Sequence, residues 1–120
     1  MIIRSKKMLS AASGQSCVNC GARDGTVVAA HYQGIRAQQY GKGKGIKPHD
    51  LLVADLCHHC HDLFDSYKAS YVADEFQRKI DLSERFHYCI ALTLVRRFEQ
   101  GVLTTPDSKQ DLSLNQEFSG

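Results

Sequence analysis

The sequence predicts a small α+β domain, and three observations predict it. Two short apolar runs, residues 26–32 (TVVAAHY) and 51–57 (LLVADLC), have the β-branched and aliphatic character of strands. Phe86, Ile90, Leu94 and Phe98 recur every four positions, the spacing of one helix face. Two Cys-x-x-Cys pairs, Cys17/Cys20 and Cys57/Cys60, bracket the strands and fix where the chain must come together.

Along the chain, residues 1–14 are expected to form a basic N-terminal arm. The first cysteine pair follows in CVNCG, where Gly21 supplies the open backbone that a tight thiolate turn prefers. The first strand should end near His31. The stretch GIRAQQYGKGKGIKP is too rich in glycine for a regular element, so it is expected as a long loop, a feature that in compact domains is usually functional or disordered. The second strand leads directly into CHHCHDLFDSY, where helical spacing takes over. Asp81 and Glu84 resemble a capping box that opens the last helix, and Gly101 is well placed to stop it. Residues 71–80 are left as a helical or irregular linker. Residues 104–120 are polar enough to be a flexible tail.

With 120 residues and 42% hydrophobic content, one domain spanning residues 15–103 is expected between arm and tail. There is no Trp and only two Met, so the core should be small, and a metal staple would help to hold it. No run approaches the ~18 apolar residues of a membrane span, and MIIRSKKMLSAASG is a poor signal peptide because its apolar stretch is brief. A cytoplasmic protein without a membrane partner is therefore expected. A net charge of +2 is too mild to identify a nucleic-acid binder by itself. Its distribution says more: between His31 and His49 lie Arg36, Lys42, Lys44 and Lys47 and no acid, whereas Asp107, Asp111 and Glu117 face a single Lys near the end.

Five cysteines, four of them in two Cys-x-x-Cys pairs, suit metal binding better than a disulfide framework. Each such turn presents two thiolates, so the pairs together complete the closed tetrahedral site that structural zinc favours. Cys17, Cys20, Cys57 and Cys60 are the expected zinc ligands. The competing readings are a redox dithiol, simple burial of the thiols, or a ligand set that draws on His58, His59 or His61. Cys89, on the apolar helix without a partner, is expected in the core.

If both turns grip one ion, the strand ending at His31 and the helix starting near Cys60 are forced side by side, and His31 and His61 can face one cleft. His61 and Asp65, four apart on a helix, share a face and can hold a divalent metal. His87 on the last helix is either a half-buried helical residue or a further ligand. His49, His58 and His59 are expected to be exposed or supporting. In the glycine loop, Arg36, Lys42, Lys44 and Lys47 are either solvated charges or contacts to phosphates, which give affinity without sequence specificity.

An apolar strand ending in His (AHYQG), a polar loop (GIKPHDLL), a second Cys-x-x-Cys followed at once by His (CHHCHD) and a last helix ending in Gly and Leu together resemble the HNH, or ββα-metal, nucleases that carry a zinc-bound treble clef. The likeness is closer to the prophage-encoded nucleases of the YbcO type than to the phage recombination nuclease Ref, and it covers residues 15–103. It implies an HNH-like core with a C-terminal helix. Carried over residue by residue, His31 is the general base, Asp50 stands where these enzymes have an orienting Asn, and His61 binds the catalytic metal. Ala30 stands where many of them have an Asp ligand, so Asp65, Asp62 or His87 must replace it.

The function so implied is a metal-dependent endonuclease acting on DNA, phage or prophage encoded, in a bacterial cytoplasm. It would use structural Zn2+ and catalytic Mg2+, Mn2+ or a second Zn2+, with a recombination protein as a further candidate partner. The chemistry is coherent, since His supplies a base near neutral pKa and a divalent cation stabilises charge on the phosphate. The rivals are a non-catalytic zinc-knuckle module that binds nucleic acid and a zinc domain for protein interaction.

Overall fold

The computed structural model describes residues 1–66 and 74–107. The elements run α1 (Lys6–Ser10), β1 (Val28–His31), β2 (Val53–Leu56), α2 (His58–Ser66) and α3 (Glu75–Glu99), with a 3-10 turn over Ala37–Tyr40 in the long loop. This is a small α+β fold, as expected. Most of the tail, from residue 108 onward, and residues 67–73, which include the first three positions of the 71–80 linker and the last of the CHHCHDLFDSY stretch, lie outside the described residues.

β1 and β2 form an antiparallel pair with Val28 opposite Leu56, Ala29 opposite Asp55, Ala30 opposite Ala54 and His31 opposite Val53. All four residues of β2 are buried, so both of its faces are covered. Alternation puts Ala30, Ala54 and Leu56 on one face, and these belong to the cluster that includes Phe64 of α2 and Phe86 and Ile90 of α3. His31, Val53 and Asp55 occupy the other face.

Residues 1–14 are not a free arm. Ser5 caps α1 by accepting from the Met8 N–H, and Met8 and Ala12 are buried. Asp50 accepts from the Ser5 N–H at 2.7 Å, and its own N–H donates to the Ile3 carbonyl at 2.9 Å. The basic character of this segment is real, but its backbone is tied to residues 49 and 50.

α3 starts earlier than the Asp81/Glu84 pair suggests. Asp74 is the cap, and its carboxylate accepts from the N–H groups of Phe76 and Gln77. Asp81 instead accepts from the Gln77 side chain one turn back. At the other end Gly101 takes a φ of 76°, the left-handed conformation that releases a helix at low cost in glycine.

The buried face of α3 also departs from the four-residue pattern. Phe86 and Ile90 are in the core, but the line continues through Thr93 and Arg97, while Leu94 and Phe98 are half-buried. The reason is Asp55, fully buried in β2. Arg97 embraces its carboxylate with both terminal nitrogens and donates from Nε to the Met8 carbonyl at 2.8 Å. Arg96 adds a bond to Asp55 at 3.0 Å and another to the Ser16 carbonyl at 2.7 Å. A buried carboxylate without such partners would cost several kcal/mol, so the helix turns its arginines toward the sheet.

Candidate metal centre and active site

The four cysteines of the two pairs converge, their Sγ atoms all within 4.8 Å of one another. Cys20 Sγ and Cys57 Sγ are 3.6 Å apart and all the cysteines are free thiols. A tetrahedral zinc with bonds of about 2.3 Å requires sulfur–sulfur edges of about 3.8 Å, so this spacing fits a zinc ion. Backbone bonds build the two turns: the Gly21 N–H reaches the Cys17 carbonyl at 2.8 Å with Gly21 at a φ of 82°. The His61 N–H reaches the Cys57 carbonyl at 2.9 Å. The Val18 N–H donates to the Asp55 carbonyl at 2.9 Å and so ties the first turn to β2.

The thiols differ in how readily they ionise. Burial works against the Cys17 thiolate, but N–H groups of Cys57, Cys20 and Asn19 turn toward it and bring its pKa down to about 7. Burial pushes Cys57 and Cys60 up. Several thiolates packed this closely need a cation among them, and a divalent ion supplies it. The Asn19 amide donates to Cys60 Sγ at 3.2 Å, and Arg85 of α3 holds the Asn19 carbonyl oxygen at 2.7 Å. Such outer contacts orient ligand sulfurs. Cys89 is buried in the core, its thiol raised to about 11 chiefly by burial, and it stands apart from the quartet. His58 and His59 are exposed.

His31, at the end of β1, meets Asp50 with Nε2 2.7 Å from Oδ1. The carboxylate also takes Arg4 at 3.0 Å on Oδ1 and the Ser5 N–H on Oδ2. Burial opposes its ionisation, but the bonds from His31, Ser5 and Arg4 outweigh it and hold the carboxyl below its ordinary value. An ionised carboxylate only accepts, so His31 Nε2 carries a proton toward it. In the neutral ring Nδ1 is then the basic nitrogen. The pair opens on a cleft of about 400 Å³ lined by Arg4, Leu9, His31, Ile46, Lys47 and Asp50 together with Gly45.

No residue of α2 lines that cleft, so the expected meeting of His31 and His61 there is not observed. The N-terminal segment forms the wall instead, because Arg4 donates to the carbonyls of Pro48 and Lys47 as well as to Asp50. His61 and Asp65 do pair, Nε2 to Oδ2 at 3.2 Å, across one turn of α2 at a part-exposed position. His87 does not join them. Its Nδ1 donates to the Ser83 carbonyl at 2.7 Å and its Nε2 accepts from the Tyr40 hydroxyl at 2.8 Å, so both nitrogens are engaged. Among the described residues, the cysteine quartet is the one group of three or more His, Cys, Asp or Glu side chains close enough to share an ion. Asp62 is exposed.

That His87–Tyr40 contact anchors the glycine loop to α3. Tyr32, fully buried, bonds Ser83 through its hydroxyl, which also accepts the Arg36 N–H at 3.0 Å. Gly34 lies against the Tyr32 ring, where any side chain would overlap the hydroxyl. Past the 3-10 turn, Gly43 and Ile46 bridge to form a small flap. Lys42 and Lys44 line a second cleft of about 530 Å³ with Gln33, Ile35 and Gln38. Lys47 belongs to the His31 cleft, and Arg36 is exposed.

Two groups here were not singled out from the sequence. Arg4 lay in what reads as a basic arm, and nothing local links it to Asp50. The Asp55–Arg97 pair had a visible signal, an acid within the apolar VADL run and an arginine on an apolar helix face, each of which demands a partner if buried. Comparison of this chain with family models, curated proteins and solved structures gives no match.

Proposed function

We propose that this protein is a metal-dependent endonuclease of the HNH type that hydrolyses phosphodiester bonds in DNA. The observation that carries the reading is the His31–Asp50 pair, opening on a cleft whose other charged side chains are the cations Arg4 and Lys47. Asp50 fixes the ring and its tautomer, and Nδ1 of His31 takes the proton of a water whose oxygen attacks phosphorus. As the new P–O bond forms, the bond to the leaving sugar oxygen breaks, and that oxygen is protonated from solvent. Lys47 draws the phosphate into the cleft. His61 and Asp65, on α2 outside the lining of the His31 cleft, are the residues that would hold a catalytic Mg2+, Mn2+ or second Zn2+, and the cation would supply charge stabilisation for the phosphate. The structural Zn2+ belongs to Cys17, Cys20, Cys57 and Cys60. The assignment to phage or prophage DNA processing, in a bacterial cytoplasm and with a recombination protein as partner, rests on the motif resemblance.

The deciding experiment is a plasmid-nicking assay with Mg2+ or Mn2+ on the zinc-loaded protein. Nicking is expected, and His31→Ala should abolish it while zinc content stays at one ion per chain. One observation favours a second reading, a non-catalytic nucleic-acid-binding module: His61 and Asp65 have no third ligand among the described residues. Salt-dependent DNA binding with no cleavage under any divalent metal would select that reading and discard the nuclease.

A further inference from the structure

α3 carries a second stripe beside the face it buries on β2. Arg85, Tyr88, Leu92, Val95 and Glu99 alternate steps of three and four residues, and all are exposed, the three apolar ones at 51%, 38% and 58%. This is the spacing of a helix that packs lengthwise on another helix. Apolar grooves flank the stripe on both sides. One, of about 400 Å³, runs between α3 and the first cysteine turn along Val18, Leu92 and Val95. The other, of about 490 Å³, is lined by Leu94, Val95, Phe98, Glu99 and Leu103. A ridge bordered by grooves can seat an identical ridge.

We propose that this face binds the same face of a second copy of the chain, the two α3 helices running antiparallel about a two-fold axis near Leu92. The charges choose the occupant and the direction. Arg85 and Glu99 stand at equal distances in sequence on either side of Leu92, so an antiparallel two-fold brings Arg85 of each copy beside Glu99 of the other. A parallel pairing would set Arg85 against Arg85 and Glu99 against Glu99, which is repulsive at both ends. A two-fold interface is self-complementary in this way. The Asn19 contact to Arg85 Nε holds the guanidinium beside the first cysteine turn. Neither groove shares a residue with the His31 cleft, so the dimer presents two open clefts.

Sedimentation velocity on the full-length, zinc-loaded protein tests this across a concentration series. The expected result is a species of twice the chain mass that dissociates on dilution. Val95→Asp should give monomer at every concentration with zinc content and helical signal unchanged. Glu99→Arg should weaken association by at least about tenfold, and adding Arg85→Glu to it should restore association, with zinc content checked because Arg85 touches Asn19. A wild type that is monomeric throughout, or a dimer indifferent to Val95→Asp, overturns the proposal. A dimer lost in Val95→Asp but unaffected by Glu99→Arg overturns the antiparallel register.

Discussion

His31 and Asp50, nineteen residues apart, are joined by a 2.7 Å contact between Nε2 and Oδ1. The same carboxylate receives Arg4 and the Ser5 N–H, so one side chain both orients the imidazole and docks the chain's first residues. Orientation of the imidazole and closure of the cleft wall therefore depend on the same carboxylate.

Removing that carboxylate should loosen both. Asp50→Ala strips acceptors from three donors in a mostly buried setting, a loss of about 1–3 kcal/mol. Urea unfolding checks the magnitude, and amide exchange at Ser5 should accelerate. The acid limb of stability gives the sign. The folded carboxyl titrates below its ordinary value of 3.8, so its contribution is intact above that pH and is lost as pH falls through the lower folded value. The stability difference between wild type and Asp50→Ala should hold constant from pH 7 to 5 and shrink at lower pH. A difference that instead shrank between pH 7 and 5 would point to another titrating group.

The cysteine centre predicts a metal-dependent fold. Cys60→Ser should lose zinc and lower the melting temperature sharply, because the two turns are what join the first segment to α2. Cys89→Ala should keep the full metal content, since its thiol stands outside the quartet. Thiols must lose their protons to bind, so zinc should be released as pH falls, with protons taken up in proportion. Colorimetric zinc release against pH measures this, and equal metal loss in Cys89→Ala and Cys60→Ser would refute the assignment.

Much of this was legible in the sequence, for identifiable reasons. The cysteine quartet was, because Cys-x-x-Cys is a local geometry and two such pairs need only one meeting. The strands were, because TVVAAHY and VADL are defined by side chains that suit a pleated surface. The link from His31 to Asp50 was legible only as a possible role carried over from a motif, since it spans a loop with no periodicity. The start of α3 was misplaced by seven residues relative to Asp81, because a capping box and a mid-helix Asp look alike without the upstream chain. Arg4 was missed because nothing local links it to Asp50, and the Asp55–Arg97 pair because an acid and an arginine set among apolar residues each signal a buried charge without naming the partner.

Asp55 and Arg97 form the most exposed-to-failure point of the core. Arg97→Met leaves a fully buried carboxylate short of its main partner and should cost about 3–5 kcal/mol, a large share of a small domain's stability. Arg97→Lys keeps the charge but cannot reach two carboxylate oxygens and the Met8 carbonyl at once, so it should also destabilise, by less. Replacing both partners, Asp55→Leu with Arg97→Met, should recover part of the loss. Denaturant melts of the three variants decide it, and additive losses in the double variant would show that the pair does not act as a unit.

On the proposed nuclease reading, the two clefts beside the flap would separate affinity from chemistry. Lys44 lines the cleft away from His31 and is exposed, so as a phosphate contact it should contribute binding without touching the base. Lys44→Ala should weaken DNA binding alike on unrelated sequences and lower the slope of log affinity against log salt by about 0.9. Cleavage at saturating DNA should remain. Lys47 shares the cleft with His31, so Lys47→Ala should lower the cleavage rate as well as the affinity. Fluorescence anisotropy across a salt series, followed by single-turnover cleavage at saturation, distinguishes them. If Lys44→Ala left the salt slope unchanged, the glycine loop would be a solvated surface rather than a phosphate cradle, and the cationic contribution would reduce to Arg4 and Lys47.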